Sequence, residues 1–147
     1  ADKWIQMIPL LAAGGRFPLL LWGSPVERSM GEEIHRQTGI PLVPELSIMQ
    51  VMALIQRADL LISGDTFALQ AACALNRPVV GLFGPTNPKR NGPFSLLDKV
   101  AFHPSECSFC YKRKCSNPGC LQAITPEEVA GMALDLLNND ARINTHL

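Results

Sequence analysis

Two short apolar runs separated by a helix-forming segment constrain the fold more than any other feature of this chain. The first run covers residues 60–63 and ends at a turn, Gly64-Asp65. The segment 67–75 that follows contains no helix breaker, and the second apolar run covers residues 79–83. Each run is short and bounded by turn residues, as expected for strands covered on both faces. A strand, a short helix and a strand within about 25 residues form a parallel crossover unit.

The same alternation extends along the chain. Helices are predicted at 1–13, 27–38, 48–57, 67–75 and 125–138, and strands at 18–22, 41–43, 60–63, 79–83 and 98–102. Ser47 and Thr125 are predicted N-caps, and Glu128 completes a capping box with Thr125. Asp65 is predicted to cap the helix at 67–75. The pattern predicts an α/β fold, a Rossmann-like open parallel sheet with helices on both faces.

Length and charge limit the classes of protein that fit. The 147 residues predict a single domain, 1–147, with a proper core. Thirteen basic and thirteen acidic side chains give a net charge of zero, so we expect no nucleic-acid partner. The longest apolar run, near 18–22, is too short to span a bilayer. Because the chain opens on a helix where such domains open on a strand, we expect it to be part of a longer protein.

The candidate site lies where the parallel strands end, since ligands bind beyond the carboxyl ends of such strands. The helix after Gly64-Asp65 would present free N–H groups and a partial positive charge to a diphosphate, with the Thr66 hydroxyl beside them. A capping turn that binds nothing is the competing interpretation. Glu27 suits either a ribose contact or favourable placement at a helix N-terminus. Gly84 and Thr86 belong to a rigid loop at the same edge.

A cysteine-rich segment, 107–120, is the second candidate site. It places four thiols in fourteen residues: Cys107, Cys110, Cys115 and Cys120. A Cys-x2-Cys turn with two further cysteines can form a tetrahedral zinc site, and a structural zinc is the preferred interpretation. Two disulfides, free thiols in a reducing cytoplasm, or an iron–sulfur cluster are the alternatives. The fifth cysteine, Cys73, lies in an apolar helix and is predicted to be a small core residue.

The central stretch also carries a resemblance to a known family. Its Gly-Asp-Thr turn, the helix ending in Ala-Leu-Asn-Arg-Pro, and the following Val-Val-Gly-Leu-Phe-Gly-Pro-Thr-Asn-Pro resemble the family 9 glycosyltransferases, the heptosyltransferases of lipopolysaccharide core assembly. The resemblance runs from Asp2-Lys3-Trp4 to the last helix and covers the C-terminal half of such an enzyme. It implies one half of a GT-B fold, the half that binds the nucleotide-sugar donor, with the N-terminal acceptor domain absent.

The resemblance also implies a set of donor-binding residues. These are Lys3, Glu27, Asp65, Thr66, Phe67, Ala68, Gln70, Gly84 and Thr86. Two of them depart from the family pattern, which has glycine at Phe67 and histidine at Gln70. A glycine would allow a closer approach of backbone to phosphate, and glutamine can donate a hydrogen bond but carries no charge. The resemblance places the catalytic base in the N-terminal domain, so no catalytic residue is expected in this chain.

The resemblance therefore implies a donor domain that binds an ADP-linked sugar, with ADP-heptose as the expected donor. The intact enzyme would transfer the sugar to a lipid-linked saccharide, without any cofactor for catalysis, and this fragment alone would be inactive. We expect a cytoplasmic location, with peripheral association at the inner face of the membrane. One alternative is a degenerate, non-catalytic scaffold domain whose crevice is filled by Phe67. Another is a different GT-B enzyme, such as a sugar-nucleotide epimerase-like protein.

Overall fold

The computed structural model describes residues 1–112 and 114–145. The helices are α1 (Asp2–Ala13), α2 (Pro25–Thr38), α3 (Ile48–Arg57), α4 (Phe67–Ala74), α5 (Pro88–Asn91), α6 (Gly119–Gln122) and α7 (Pro126–Asn139), and a 3-10 turn (Ala141–Thr145) follows them. The strands are β1 (Leu61–Gly64), β2 (Val79–Phe83) and β3 (Lys99–Phe102). Among the helices of these residues, none is long and apolar enough to cross a bilayer.

The three strands form one parallel sheet in the order β1-β2-β3. Leu61 pairs with Val79, and Val80 pairs with Lys99, so β2 is the central strand. The α/β class and the parallel sheet predicted from the sequence are confirmed. Parallel order also confirms that all three strands deliver their carboxyl ends to one edge, where the candidate site was expected.

The prediction of strands at 18–22 and 41–43 is wrong, because neither segment forms a full strand. These segments meet in one isolated parallel bridge, between Leu20 and Leu42, in the described part of the chain. Prolines at 18, 41 and 44 lie within or beside the two segments. Because proline has no N–H to donate, the ladder cannot extend beyond the bridge.

Side chains of β2 alternate between two cores. Val80 and Leu82 face the first core, which contains residues of α1 and α7, whereas Val79 and Phe83 face the second core with residues of α3 and α4. Val79, Val80 and Phe83 are fully buried. Helices therefore cover both faces of the sheet, as the sequence predicts.

Capping residues set most helix boundaries. Ser47 with Gln50, and Thr125 with Glu128, form the capping boxes of α3 and α7. The two predicted N-caps are thus confirmed. Helix α2 begins at Pro25, two residues earlier than predicted, because Ser24 accepts a hydrogen bond from the Glu27 N–H.

A buried ionic cluster closes the opposite edge of the sheet, where β2 and β3 begin. The Arg142 Nη2 atom lies 2.6 Å from Asp98 Oδ1 and 2.5 Å from Asp140 Oδ2. Asp98 Oδ1 also accepts the Val79 N–H. The cluster therefore ties the C-terminal 3-10 turn to the first residue of β2.

Candidate functional site

The turn between β1 and α4 lies at the carboxyl edge of the sheet. Thr66 is the N-cap residue of α4 and makes no side-chain capping bond. Its hydroxyl instead lies 2.9 Å from the Ser63 hydroxyl, with which it shares a hydrogen bond. Helix α4, like α1, has no side-chain cap, whereas α2, α3 and α7 each have one. The N–H groups of its first turn are therefore not occupied by a capping side chain, and they carry the positive end of the helix dipole.

The prediction that Asp65 caps α4 is wrong. Its Oδ2 atom accepts a hydrogen bond from Asn91 Nδ2, at 2.7 Å, so the side chain points toward α5 and not along the helix. Gln70 Nε2 in turn donates to the main-chain oxygen of Asn91, at 2.8 Å. One residue of α5 thus contacts two of the predicted site residues.

Phe67 and Ala68 form the first turn of α4. The Phe67 side chain is 55% exposed, so its ring lies at the surface beside the turn and is not packed into the core. Ala68 is half-buried and contacts the second core. A surface ring does not match the crevice-filling role that the scaffold alternative gives to Phe67.

The loop after β2 supplies the other predicted residues of this edge. Gly84 is buried, and a Cβ atom placed there would lie 2.6 Å from Leu121 Cγ and 3.1 Å from Cys120 Sγ. The Tyr111 N–H donates to the Pro85 oxygen at 3.0 Å. A larger residue at 84 would therefore force the Leu121 side chain to move. Thr86 is half-buried in the same loop.

Lys3 makes contacts that the sequence did not predict. Its Nζ atom lies 3.1 Å from the Leu121 oxygen, 2.5 Å from the Gln122 oxygen and 2.6 Å from the Ile124 oxygen. The ammonium group thereby donates to carbonyl oxygens at and just beyond the C-terminal end of α6, where cations are favourable. It joins the start of α1 to the residues that follow the cysteine-rich segment. A phosphate contact by Lys3 stays a prediction.

The Glu27 side chain forms hydrogen bonds at the start of α2. Its Oε2 atom accepts hydrogen bonds from the Gly23 N–H, at 2.9 Å, and from the Ser24 hydroxyl, at 3.0 Å. This is a reciprocal capping arrangement with Ser24. The side chain is nevertheless exposed, and its role in ribose binding stays a prediction.

The structure therefore brings together part of the predicted site. Asp65, Thr66 and Gln70 cluster at the β1–α4 turn, while Lys3 and Glu27 each make separate local contacts. Sequence reasoning missed Asn91, which links the turn to α5. The available signal was a polar residue in the loop after β2, at the edge where ligands bind.

The four cysteines of segment 107–120 do not form a metal centre in this arrangement. Across residues 1–112 and 114–145, no three His, Cys, Asp or Glu side chains are grouped so that they could hold a metal ion. Cys107 and Cys120 line one pocket, and all five cysteines are free thiols. Zinc binding by the four thiols therefore stays a prediction and requires a different arrangement of the segment.

The segment is nevertheless shaped by specific backbone geometry. Phe109 and Tyr111, on either side of Cys110, have positive φ values of 65° and 54°. The Phe109 ring stacks on Phe102 of β3, with centroids 5.7 Å apart. The left-handed conformation costs a non-glycine residue free energy, which this stacking and the Tyr111–Pro85 hydrogen bond offset.

The five thiols should differ in reactivity. Burial raises the pKa of the Cys73 thiol, whereas Cys107 and Cys115 are exposed. Because the thiolate is the reactive species, iodoacetamide at pH 8 should modify Cys73 at least about tenfold more slowly than Cys107 and Cys115. Mass spectrometry of quenched samples measures each rate. Protection of all four segment cysteines by added zinc would support the metal site, and unchanged rates with zinc would contradict it.

An open parallel sheet of three strands with helices on both faces defines an α/β protein with a Rossmann-like fold. The model of the family "Glycosyltransferase family 9 (heptosyltransferase)" matches residues 1–121, and the chain belongs to this family.

Individual relatives agree with the family assignment. The chain is 28% identical over 106 residues to lipopolysaccharide heptosyltransferase 1 of Escherichia coli K12, covering 71% of this chain and 33% of the relative. It is 30% identical over 134 residues to lipooligosaccharide heptosyltransferase 2 of Haemophilus influenzae, covering 83% of this chain and 37% of the relative. The chain thus spans about a third of the length of these relatives.

The fold also matches a solved structure, that of the E. coli heptosyltransferase WaaC with ADP. The TM-score is 0.74 at 24% sequence identity, over 90% of this chain and 38% of that one. At this identity the match establishes the fold.

Proposed function

We propose that this chain is the donor-binding domain of a glycosyltransferase that uses an ADP-linked sugar, with ADP-heptose as the donor. The observation that carries the proposal is the β1–α4 turn, in which the N-terminus of α4 has no side-chain cap and lies at the carboxyl edge of the sheet. Membership of the family and the ADP in the solved WaaC relative support it. The intact protein would transfer the sugar to a lipid-linked saccharide of the lipopolysaccharide type, at the cytoplasmic side of the membrane.

In this proposal the domain holds the diphosphate and does not supply the catalytic base. The N–H groups of the first turn of α4 would donate to the phosphate oxygens, and Thr66 would add a hydroxyl. As the glycosidic bond breaks, negative charge grows on the diphosphate leaving group. Fixed N–H dipoles directed at that charge stabilise it without reorganisation. The base that activates the acceptor hydroxyl would come from the acceptor domain.

Calorimetric titration of the chain with ADP, UDP and GDP tests the proposal. We expect ADP to bind more tightly than the other two, and Thr66→Ala to weaken ADP binding by roughly tenfold to a hundredfold, the loss typical of one hydrogen bond to a charged group. Because Thr66 makes no capping hydrogen bond, its replacement should leave the stability of α4 nearly unchanged. A loss of ADP affinity is then a loss of a direct contact.

Glu27→Ala is expected to weaken ADP binding to a similar degree if its carboxylate accepts the ribose hydroxyls. Glu33→Ala is the matched control, because Glu33 lies on the same helix and pairs with Arg36, away from the turn. Absence of binding to all three nucleotides at millimolar concentration, by a chain that is demonstrably folded, would contradict the proposed function. Preference for UDP would instead favour the epimerase-like alternative.

A further inference from the structure

We infer that Asn91 is a positioning residue of the donor site: its side-chain amide holds the Asp65 carboxylate away from the diphosphate. The inference rests on the proposed function. It begins from a conflict within the β1–α4 turn, where a carboxylate lies beside N–H groups that would receive an anion. Two negative groups at such short range repel each other, and a half-buried site screens them less than bulk water does.

The contacts of Asn91 resolve this conflict. Its Nδ2–H donates to Asp65 Oδ2 at 2.7 Å, across 26 residues of sequence. The bond is charge-assisted and both residues are half-buried, so it is of the stronger kind. The carboxylate is thereby directed toward α5, and the first turn of α4 remains without a capping side chain.

A second contact of Asn91 fixes the distance between α5 and α4. Gln70 Nε2 donates to the Asn91 main-chain oxygen at 2.8 Å. Because this acceptor is backbone, Asn91→Ala keeps the Gln70 bond and removes only the bond to Asp65. The substitution therefore isolates the function assigned to the side-chain amide.

Gly92, the residue after Asn91, closes the C-terminal end of α5. Its N–H donates to the Pro88 oxygen at 2.9 Å, and a Cβ at position 92 would lie only 2.2 Å from that same oxygen. A larger residue would distort the end of α5, because the obstructing atom is backbone. Glycine at 92 therefore allows the tight end of α5 at which the Asn91 side chain contacts Asp65.

The test is titration of the folded chain with ADP and with adenosine, for wild type and Asn91→Ala. Release of the Asp65 carboxylate should weaken ADP binding about tenfold, because the freed negative charge repels the diphosphate. Adenosine has no phosphate, so its affinity should change less than about twofold. Asn139→Ala is the matched control: its Nδ2 donates to Asp135 Oδ1 at 2.8 Å in an equivalent Asn–Asp pair on α7, and we expect no change in ADP affinity.

A double-mutant cycle with Asp65→Ala separates positioning from a general structural effect. When the carboxylate is absent, Asn91→Ala has nothing to release, and the added change in ADP affinity should be under about twofold. If adenosine binding is too weak to measure, the double-mutant cycle by itself tests the inference. The inference is overturned, and the proposed function stands, if Asn91→Ala weakens the binding of ADP and adenosine equally or still weakens ADP binding tenfold on the Asp65→Ala background. If the folded wild type binds no ADP, both the inference and the proposed function are overturned.

Discussion

Arg142→Ala should lower the free energy of unfolding by about 3–5 kcal/mol, the cost of removing one member of a buried ion pair. Its guanidinium contacts Asp98 and Asp140, whose side chains are each 2% exposed. Without the cation, two buried carboxylates lie near each other with no compensating charge. Chemical denaturation followed by circular dichroism measures the change. A loss below about 1 kcal/mol would mean that water reaches the cluster in the folded protein.

The same variant should alter the dependence of stability on pH. Hydrogen bonds from Arg142 lower the pKa of Asp140 below its ordinary value in the folded protein. A lowered folded-state pKa contributes stability that is present above the unfolded-state pKa and is lost as pH falls through the folded-state value. Wild type should therefore lose this stability below about pH 4, where an unfolded aspartate takes up its proton. Arg142→Ala should lack that acid-dependent loss.

Arg36→Ala is the matched control for Arg142→Ala. Arg36 pairs with Glu33 on the exposed surface of α2, where side-chain exposures are 70% and 40%. Water competes for both charges there, so removal of the pair should leave stability unchanged within error. A comparable loss in both variants would show that burial is not what makes the Arg142 cluster important.

The central part of the fold is predictable from the sequence because its signals are local. The predicted and observed bounds of β2 agree at both ends, because its apolar run is enclosed by Pro78 and Gly84. The capping boxes of α3 and α7 are equally local, each requiring residues three positions apart. The strands predicted at 18–22 and 41–43 fail for a reason that is also local, since their prolines remove the N–H groups that a ladder needs.

The candidate site is less predictable because its geometry depends on contacts distant in sequence. The composition of the β1–α4 turn indicates a capping aspartate, but Asn91 redirects the Asp65 side chain. Lys3 is separated by more than a hundred residues from the carbonyls that it contacts. No periodicity or spacing rule encodes such pairs. The resemblance to a family implies a set of site residues, and only the folded chain shows the contacts that each of them makes.

Phe83→Ala should lower the free energy of unfolding by about 3–5 kcal/mol, through lost burial and the cavity left behind. Phe83 is fully buried at the end of β2, in the same core as Leu69 of α4. Gly81 leaves room for its ring, because a Cβ there would lie 2.9 Å from Phe83 Cε2. The neighbours cannot all close the gap, since the ring lies between the sheet and α4, the helix that follows the β1–α4 turn. Chemical denaturation measures the loss.

Phe94→Ala is the matched control, because it makes the same substitution at a position that is 77% exposed, where removal of the ring leaves no cavity. We expect a change within about 0.5 kcal/mol. Hydrogen exchange then locates the effect of Phe83→Ala: amides of α4 should lose protection before those of α7, which packs on the opposite face of the sheet. Uniform loss of protection across both helices would contradict the idea that Phe83 supports the β1–α4 turn. Selective loss would connect a core side chain to the geometry of the carboxyl edge of the sheet, where the candidate site lies.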